Sequence, residues 1–401
     1  MDLVHWHLNT MKDFRTSESL APFELGIADQ VWRYHRSWAQ YHATPLRPLP
    51  ALAARWGLRE VLIKDESCRW GLKAFKGLGG THVVGRYLTR YYGLGDGCAD
   101  FPTLRAHRDA RPQVVFTTAT DGNHGVGIAW AARQLGHSAK IFMPRGSARA
   151  RVEAIRAVGG DVEVTDRHYD ATVKWVAEES RRQGWVLVQD TAWDGYQDIP
   201  QWIMQGYLTL MAEEFLCRDR PSLDKPTHVF VQAGVGSFAA ATVAFLAHFY
   251  GDALPLVVVV EPTEAACFLR SVSAGNGTLF SVDGSLSTVM AGLACGVANP
   301  VAWDILKHWT TAFVACQDAV TARGMRILGN PINGDERIVA GESGAVGLGL
   351  LSLIMENPAY QDLRRRLELS AESRVLLVNT EGATDPVMYH RIVWDGFLGT
   401  E

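Results

Sequence analysis

The chain has 401 residues, of which 47% are apolar, enough to bury a large core, so intrinsic disorder is excluded. Its 39 Lys and Arg against 43 Asp and Glu give a formal net charge of −4, which argues against a nucleic-acid module built on a basic stripe. No segment reaches the ~18 uninterrupted apolar residues of a membrane helix, and residues 1–10 lack the apolar core of a signal peptide, so a cytoplasmic chain is expected. The six cysteines are scattered without a C-x-x-C pair, so neither a disulfide framework nor a metal site is expected.

Short β-branched runs alternate with longer helical segments, the pattern of an α/β protein with mostly parallel strands. His5 and His7 flank Trp6 near the start, a pairing read as incidental. The pattern predicts a strand at 60–63, a polar, turn-rich connection at 94–112, and a strand at 114–117 leading to a helix at 125–135. Strands at 139–143 and 161–165 follow, each with a helix, at 148–158 and 171–183, and then a strand at 186–189. A helix at 201–216, strands at 228–232 and 256–260, a helix at 238–249, a helix at 345–355 and a strand at 374–379 complete the pattern. Runs such as Val257-Val258-Val259-Val260 suit strands covered by helices on both faces. Arg364, Arg365 and Arg366 read as a solvated helix face. Residues 94–189 are read as a smaller α/β lobe carrying the Asp-Gly-Asn-His-Gly turn, and 1–93 with 190–401 as a discontinuous larger lobe.

Chemistry concentrates in the turns. In Ala74-Phe75-Lys76-Gly77-Leu78-Gly79-Gly80, a lysine opens a helix between an aromatic and a glycine. Such lysines are ordinarily surface residues, but one desolvated there has its pKa lowered, and a neutral amine is what a Schiff-base nucleophile requires. Thr118-Ala119-Thr120-Asp121-Gly122-Asn123-His124-Gly125 lies between a strand and a helix. It is either a capping turn or a set of acid, amide and imidazole at the carboxyl end of a parallel strand, where α/β sheets bind ligands. Gln232-Ala233-Gly234-Val235-Gly236-Ser237 leads from a strand to a helix and suits a phosphate. With Ala239 it also reads as G-x-G-x-x-A, which keeps an NAD-dependent oxidoreductase open. Glu261 would then bind a ribose, although it lies 27 positions beyond Gly234, more than the usual ~20. Gly341-Glu342-Ser343-Gly344 and Asn379-Thr380-Glu381-Gly382 follow the same pattern.

Together these segments resemble the pyridoxal-phosphate enzymes of the tryptophan-synthase-β type, fold type II, and within them the diaminopropionate ammonia-lyases. The resemblance runs from about residue 41 to 395 and rests on KDESCRWGLKAFKGLGG, TATDGNHG, VQDTAWDGYQDIPQWIMQGY, QAGVG, MAGLACG, GESGAVGLG and NTEGATD. Asp121, where dehydratases usually carry Ser, points to the ammonia-lyases. The resemblance implies two lobes with twisted, mostly parallel sheets, a homodimer, and pyridoxal 5'-phosphate carried by Lys76 beside Phe75. Asn123 would meet the cofactor's phenolic oxygen, Gly234, Val235, Gly236 and Ser237 its phosphate, and Thr380 its ring nitrogen. Asp121 and Asp190 match the family's two active-site acids. The implied reaction is elimination of D- and L-2,3-diaminopropionate to pyruvate and ammonia, with Lys76 as base on one face and Asp121 on the other. A β-replacement synthase or a serine/threonine dehydratase on the same fold is the alternative. A scaffold without activity is disfavoured, because the motif residues are complete. Two departures stand out: Lys73 replaces a small amide, and Ala383 replaces an acid. Cys267 and Cys295 fall where some relatives form a disulfide, and are expected here as free thiols.

Overall fold

The computed structural model describes residues 3–13, 18–217 and 224–399. Its strands are β1 (Val4–Leu8), β2 (Leu46–Pro48), β3 (Glu60–Asp65), β4 (Val115–Ala119), β5 (Ser138–Met143), β6 (Asp161–Val164), β7 (Val186–Leu187), β8 (His228–Gln232), β9 (Leu256–Pro262), β10 (Ala312–Cys316) and β11 (Arg374–Asn379). One sheet has the order β1-β10-β9-β8-β11-β3-β2, and a second has the order β6-β5-β4-β7. Pairings are parallel except at the two edges of the larger sheet, where β1 and β2 run antiparallel to β10 and β3.

The apolar runs have the physical cause the sequence suggested. Along β9, Val257 and Val259 face one hydrophobic cluster and Val258 and Val260 face the other; Val229 and Phe230 divide in the same way in β8. A strand buried on both faces has no polar side to alternate with. Every strand expected from the sequence is present, with ends moved by at most two residues. Three more appear. β1 and β2 are short edge strands, the latter ending at Pro48, which the outer position tolerates. β10, built partly from Ala312 and Ala315, lacks the β-branched run that marks its neighbours. His5 and His7 fall on edge strand β1.

Two local readings need correction. The connection at 94–112 contains a helix, Phe101–Ala106, capped by the Asp100 carboxylate accepting from Thr103 N, with Pro102 in its first turn. An acid followed by a proline two positions later serves a helix start as well as a turn. The helix expected at 201–216 is two helices, Asp198–Tyr207 and Thr209–Phe215, that meet at Leu208.

The helices Lys76–Tyr92 and Asn123–Gln134 cross where neither has a side chain. A Cβ on Gly80 would lie 2.7 Å from Gly127 C, and one on Gly127 would lie 2.8 Å from Lys76 O. This close approach brings the first turns of both helices, and so Lys76 and Asn123, to one place. Gly127→Val is expected to lower stability by about 1–3 kcal/mol through overpacking. Urea unfolding of the purified variant checks this, and an unchanged midpoint would show that the crossing is free to relax.

Candidate active site

The ten residues singled out from the sequence, Phe75, Lys76, Asp121, Asn123, Asp190, Gly234, Val235, Gly236, Ser237 and Thr380, line one cavity. They arrive from loops at the carboxyl ends of strands in both sheets, where open α/β folds bind ligands.

Lys76 is set by the loop before it. Trp70 (φ 49°) and Lys73 (φ 61°) take the left-handed conformation that non-glycine residues rarely adopt. The loop is held from below by Arg69, whose buried guanidinium donates to Glu66 Oε1 at 2.7 Å and to Glu213 Oε1 at 2.6 Å. Glu213 Oε2 also accepts from the buried Lys64 Nζ at 2.7 Å. From above, Phe75 N donates to Thr380 O at 3.1 Å and Gly382 N to Lys73 O at 2.9 Å. The lysine is thereby laid beside the end of β11. The Lys73 side chain itself is exposed.

Lys76 Nζ donates to Asp190 Oδ2 at 2.6 Å, with the two side chains 17% and 6% exposed. Asp190 follows β7, and its approach is fixed residue by residue. Tyr196 Oη accepts from Gln189 N at 2.8 Å and donates to Leu187 O at 3.0 Å, while Ser237 Oγ donates to Asp190 O at 2.9 Å. Burial alone would lower the lysine pKa, the direction the sequence reading expected. The Asp190 carboxylate outweighs it, with Tyr207 and Asp121 adding to the effect, and the ammonium form is favoured. Burial likewise works to raise Asp190, but Lys76, then His124, holds it down to about 2. The pair is therefore ionic in the free protein, a correction to the expected neutral amine.

Asp121 is different. Burial raises its pKa and Asp190 adds to this, against Arg151 and Lys76. Its side chain is 36% exposed, and its Oδ2 lies 4.0 Å from Arg151 Nη1. The two acids thus have opposed proton affinities in one cavity, which suits separate acid and base tasks.

The glycine loop is fixed by close packing against its neighbours. Gly236 has φ +90°, and a Cβ there would meet Phe268 Cζ at 2.3 Å, while one on Gly234 would lie 2.9 Å from Leu293 Cα. The loop opens the helix Ser237–Tyr250, and first-turn N–H groups favour an anion there. Ser237 Oγ is engaged with Asp190 O and with Asn299 Nδ2, so its backbone N–H is the group left to serve a phosphate. Thr380 Oγ1 accepts from Gln232 Nε2 at 2.9 Å, which leaves its proton to donate to an acceptor such as a neutral ring nitrogen. Phe75 packs between Tyr207 and Phe238, each ring 4.8 Å away. These features fit pyridoxal phosphate.

Sequence reasoning overlooked Glu381. Its carboxylate accepts from Asn123 Nδ2 at 2.5 Å and from Ser343 N at 3.0 Å, joining three loops at the cavity wall. An acid thus stands directly beside Thr380 although residue 383 is alanine. The signal was present in Asn-Thr-Glu-Gly, where the hydroxyl drew the attention. Tyr169, Gln232 and Ser343 also line the cavity; Tyr169 opens a helix with no motif around it. Glu261 belongs elsewhere. It is buried, and its carboxylate accepts from Phe268 N at 2.9 Å and Leu269 N at 2.8 Å, so it caps a helix and offers nothing to a ribose. Cys267 and Cys295 are free thiols, and Cys267 Sγ donates to Gly296 O at 3.1 Å.

The depressed Asp190 pKa links folding to pH. Its folded value of about 2 lies below the ordinary unfolded value near ~3.9, so its stabilisation is complete above that value and lost as pH falls toward 2. Acid titration of the cofactor-free protein, followed by near-ultraviolet circular dichroism, is expected to show stability declining between about pH 4 and 2. Asp190→Asn is expected to be less stable at neutral pH and to show a shallower decline; a parallel curve would mean the pair contributes nothing.

The model of the family described as pyridoxal-phosphate dependent enzyme matches residues 38–381. The chain is 42% identical to the diaminopropionate ammonia-lyase of Salmonella typhimurium strain LT2 over 98% of this chain and 99% of that protein. The solved holo diaminopropionate ammonia lyase from Escherichia coli superposes with a TM-score of 0.92 at 42% identity, covering 99% of this chain and 98% of that one. The same Escherichia coli protein, in complex with an aminoacrylate-PLP azomethine reaction intermediate, superposes with a TM-score of 0.90, again at 42% identity and over 99% and 98% of the two chains. With its fold, its cavity and its full-length likeness in agreement, the chain belongs to the pyridoxal-phosphate dependent enzymes of fold type II and, among them, to the diaminopropionate ammonia-lyases.

Proposed function

We propose that this enzyme takes 2,3-diaminopropionate of either configuration to pyruvate and two molecules of ammonia, with one water consumed, and that the residues of the cavity divide the work as follows. Lys76 carries the pyridoxal group, the turn from Gly234 to Ser237 holds its phosphate through backbone N–H groups, Thr380 donates to its ring nitrogen and Asn123 to its phenolic oxygen. Bound there, the cofactor supplies an electron sink that acidifies the Cα–H bond. The observation that carries this reading is the placement of two carboxylates, Asp121 and Asp190, in the same cavity as Lys76. A substrate with a second ammonium group gives this acidic cavity a cation to bind.

Lys76 Nζ, freed when the substrate's α-amine takes its place on the pyridoxal group, takes the Cα proton on one face. Asp190, 2.6 Å away, stabilises the ammonium so formed and holds it for donation to the departing β-amine, which leaves as ammonia only when protonated. Asp121, whose burial keeps its proton affinity higher than that of Asp190, takes the proton on the opposite face and so admits the other enantiomer. The Escherichia coli relative solved in complex with D-serine supports entry of a D-configured amino acid into a cavity of this kind. Water then hydrolyses the released enamine without help from the protein. The homodimer belongs to the same reading, and sedimentation of the holoenzyme checks it.

Pyruvate release from D- and L-2,3-diaminopropionate, measured against serine, tests the substrate, and faster turnover of serine would overturn the assignment. Asp121→Asn is expected to lower kcat/KM for one enantiomer, the D form, by about 10²-fold or more while largely sparing the other. Gly236→Val is expected to weaken retention of pyridoxal phosphate by about tenfold or more, since both its φ and the Phe268 ring oppose a side chain. Visible absorbance after dialysis reads that loss.

A further inference from the structure

Among the described residues, one cation reaches Asp121 in the cavity from outside the catalytic constellation. Arg151 projects from the helix Arg149–Ala157, and its Nη1 lies 4.0 Å from Asp121 Oδ2. The approach depends on the residue between them in the fold. Gly122 has φ +153°, and a Cβ there would lie 3.2 Å from Arg151 Cδ, so the arginine stem lies along a stretch of backbone kept bare for it. The side chain is 14% exposed, and its Nε is buried without a hydrogen-bond partner among the described residues. An arginine so buried and so sparsely bonded is not explained as a surface ion pair or as a structural clamp.

Building on the second-face role of Asp121 set out above, we propose that Arg151 is a positioning residue that holds Asp121 ionised and aimed into the cavity, and so sets how well the enzyme turns over the D enantiomer. The groups facing Asp121 divide by sign. Lys76, at the start of its helix, and Arg151 favour its charged form; Asp190, after β7, opposes it. Tyr169, at the start of its own helix, and Cys295 also face it, and each has its ionised form disfavoured by burial first and by Asp121 among other neighbours. Lys76 is itself committed to Asp190 at 2.6 Å, which leaves Arg151 as the cation whose nearest acid in the structure is Asp121. Arg151 also lies within electrostatic reach of Glu342, a buried carboxyl whose Oε2 has no hydrogen-bond partner among the described residues and whose pKa is pushed up to about 8, by burial first and then by Glu381, with Arg151 opposing.

The test is the pH profile of kcat/KM for each enantiomer with the holoenzymes of the parent, Arg151→Gln, Arg151→Lys and Asp121→Asn. Removing the cation raises the proton affinity of Asp121. For Arg151→Gln the acid limb of the D-enantiomer profile is therefore expected to move up by about one pH unit, with a loss that approaches about tenfold on that limb and shrinks as pH rises above it. The L-enantiomer profile is expected to keep its shape. Arg151→Lys, which keeps the charge, is expected to stay within about threefold of the parent and to show the parent's acid limb. An unmoved D-enantiomer acid limb in Arg151→Gln, or equal losses for both enantiomers, overturns the proposal. Asp121→Asn separates the two levels of the argument. Equal loss on both enantiomers in that variant removes the second-face reading itself, whereas D-selective loss there with no shift in Arg151→Gln removes only the role of Arg151.

Discussion

The site is organised around the contact between Lys76 and Asp190, an ion pair when the lysine bears no cofactor. One partner opens a helix leading away from β3 of the larger sheet, and the other follows β7 at the edge of the smaller one. At 2.6 Å and nearly buried, the pair compensates two charges that would each be costly to leave alone in the interior. It also reverses the effect of burial on the lysine. Desolvation would favour a neutral amine, but the carboxylate makes the ammonium the stable form and remains ionised itself. A proton accepted at Nζ is therefore held where a leaving amine can take it.

The rest of the molecule can be understood as the means of holding that geometry. Beneath the loop before Lys76, the buried charges of Lys64, Glu66, Arg69, Glu213 and Glu214 satisfy one another. A network of this kind adds little net stability over an apolar core of the same volume, but each member is costly to remove once its partners are buried. It fixes a backbone path that includes two left-handed non-glycine residues, Trp70 and Lys73. Above the site, Glu381 bonds both the Asn123 turn and the Ser343 turn, so three loops from separate parts of the chain share one carboxylate. The glycine crossing of the Lys76 and Asn123 helices completes the frame.

Much of this was legible in the sequence, for identifiable reasons. Strands covered on both faces show as continuous Val and Leu runs, as β9 and β11 do. The strand-to-helix turns announced themselves through Gly, Ser, Thr and acid at positions where ligands bind, Asp190 was named only through the family resemblance, and all ten residues share one cavity. What was hidden depends on contacts distant in the chain. The ionic state of Lys76 could not be inferred without knowing that Asp190, 114 positions later, touches it. Glu381 stood in a recognised motif, but its importance lies in its bonds to Asn123 and Ser343. Arg151 had no motif at all, and its relation to Asp121 follows from the bare backbone at Gly122. Glu261, read as a possible ribose ligand, turned out to cap a helix, because a carboxylate at a strand end serves equally well for either task.

The account stands on Lys76 as the amine that carries the pyridoxal group. Borohydride reduction of the holoenzyme, followed by peptide mapping, tests this directly, since reduction fixes the group onto whichever lysine bears it. A single pyridoxyl label on the peptide containing Phe75-Lys76-Gly77, at residue 76, is the predicted result. A label on the exposed Lys73 three positions earlier, on any other lysine, or on none would contradict it.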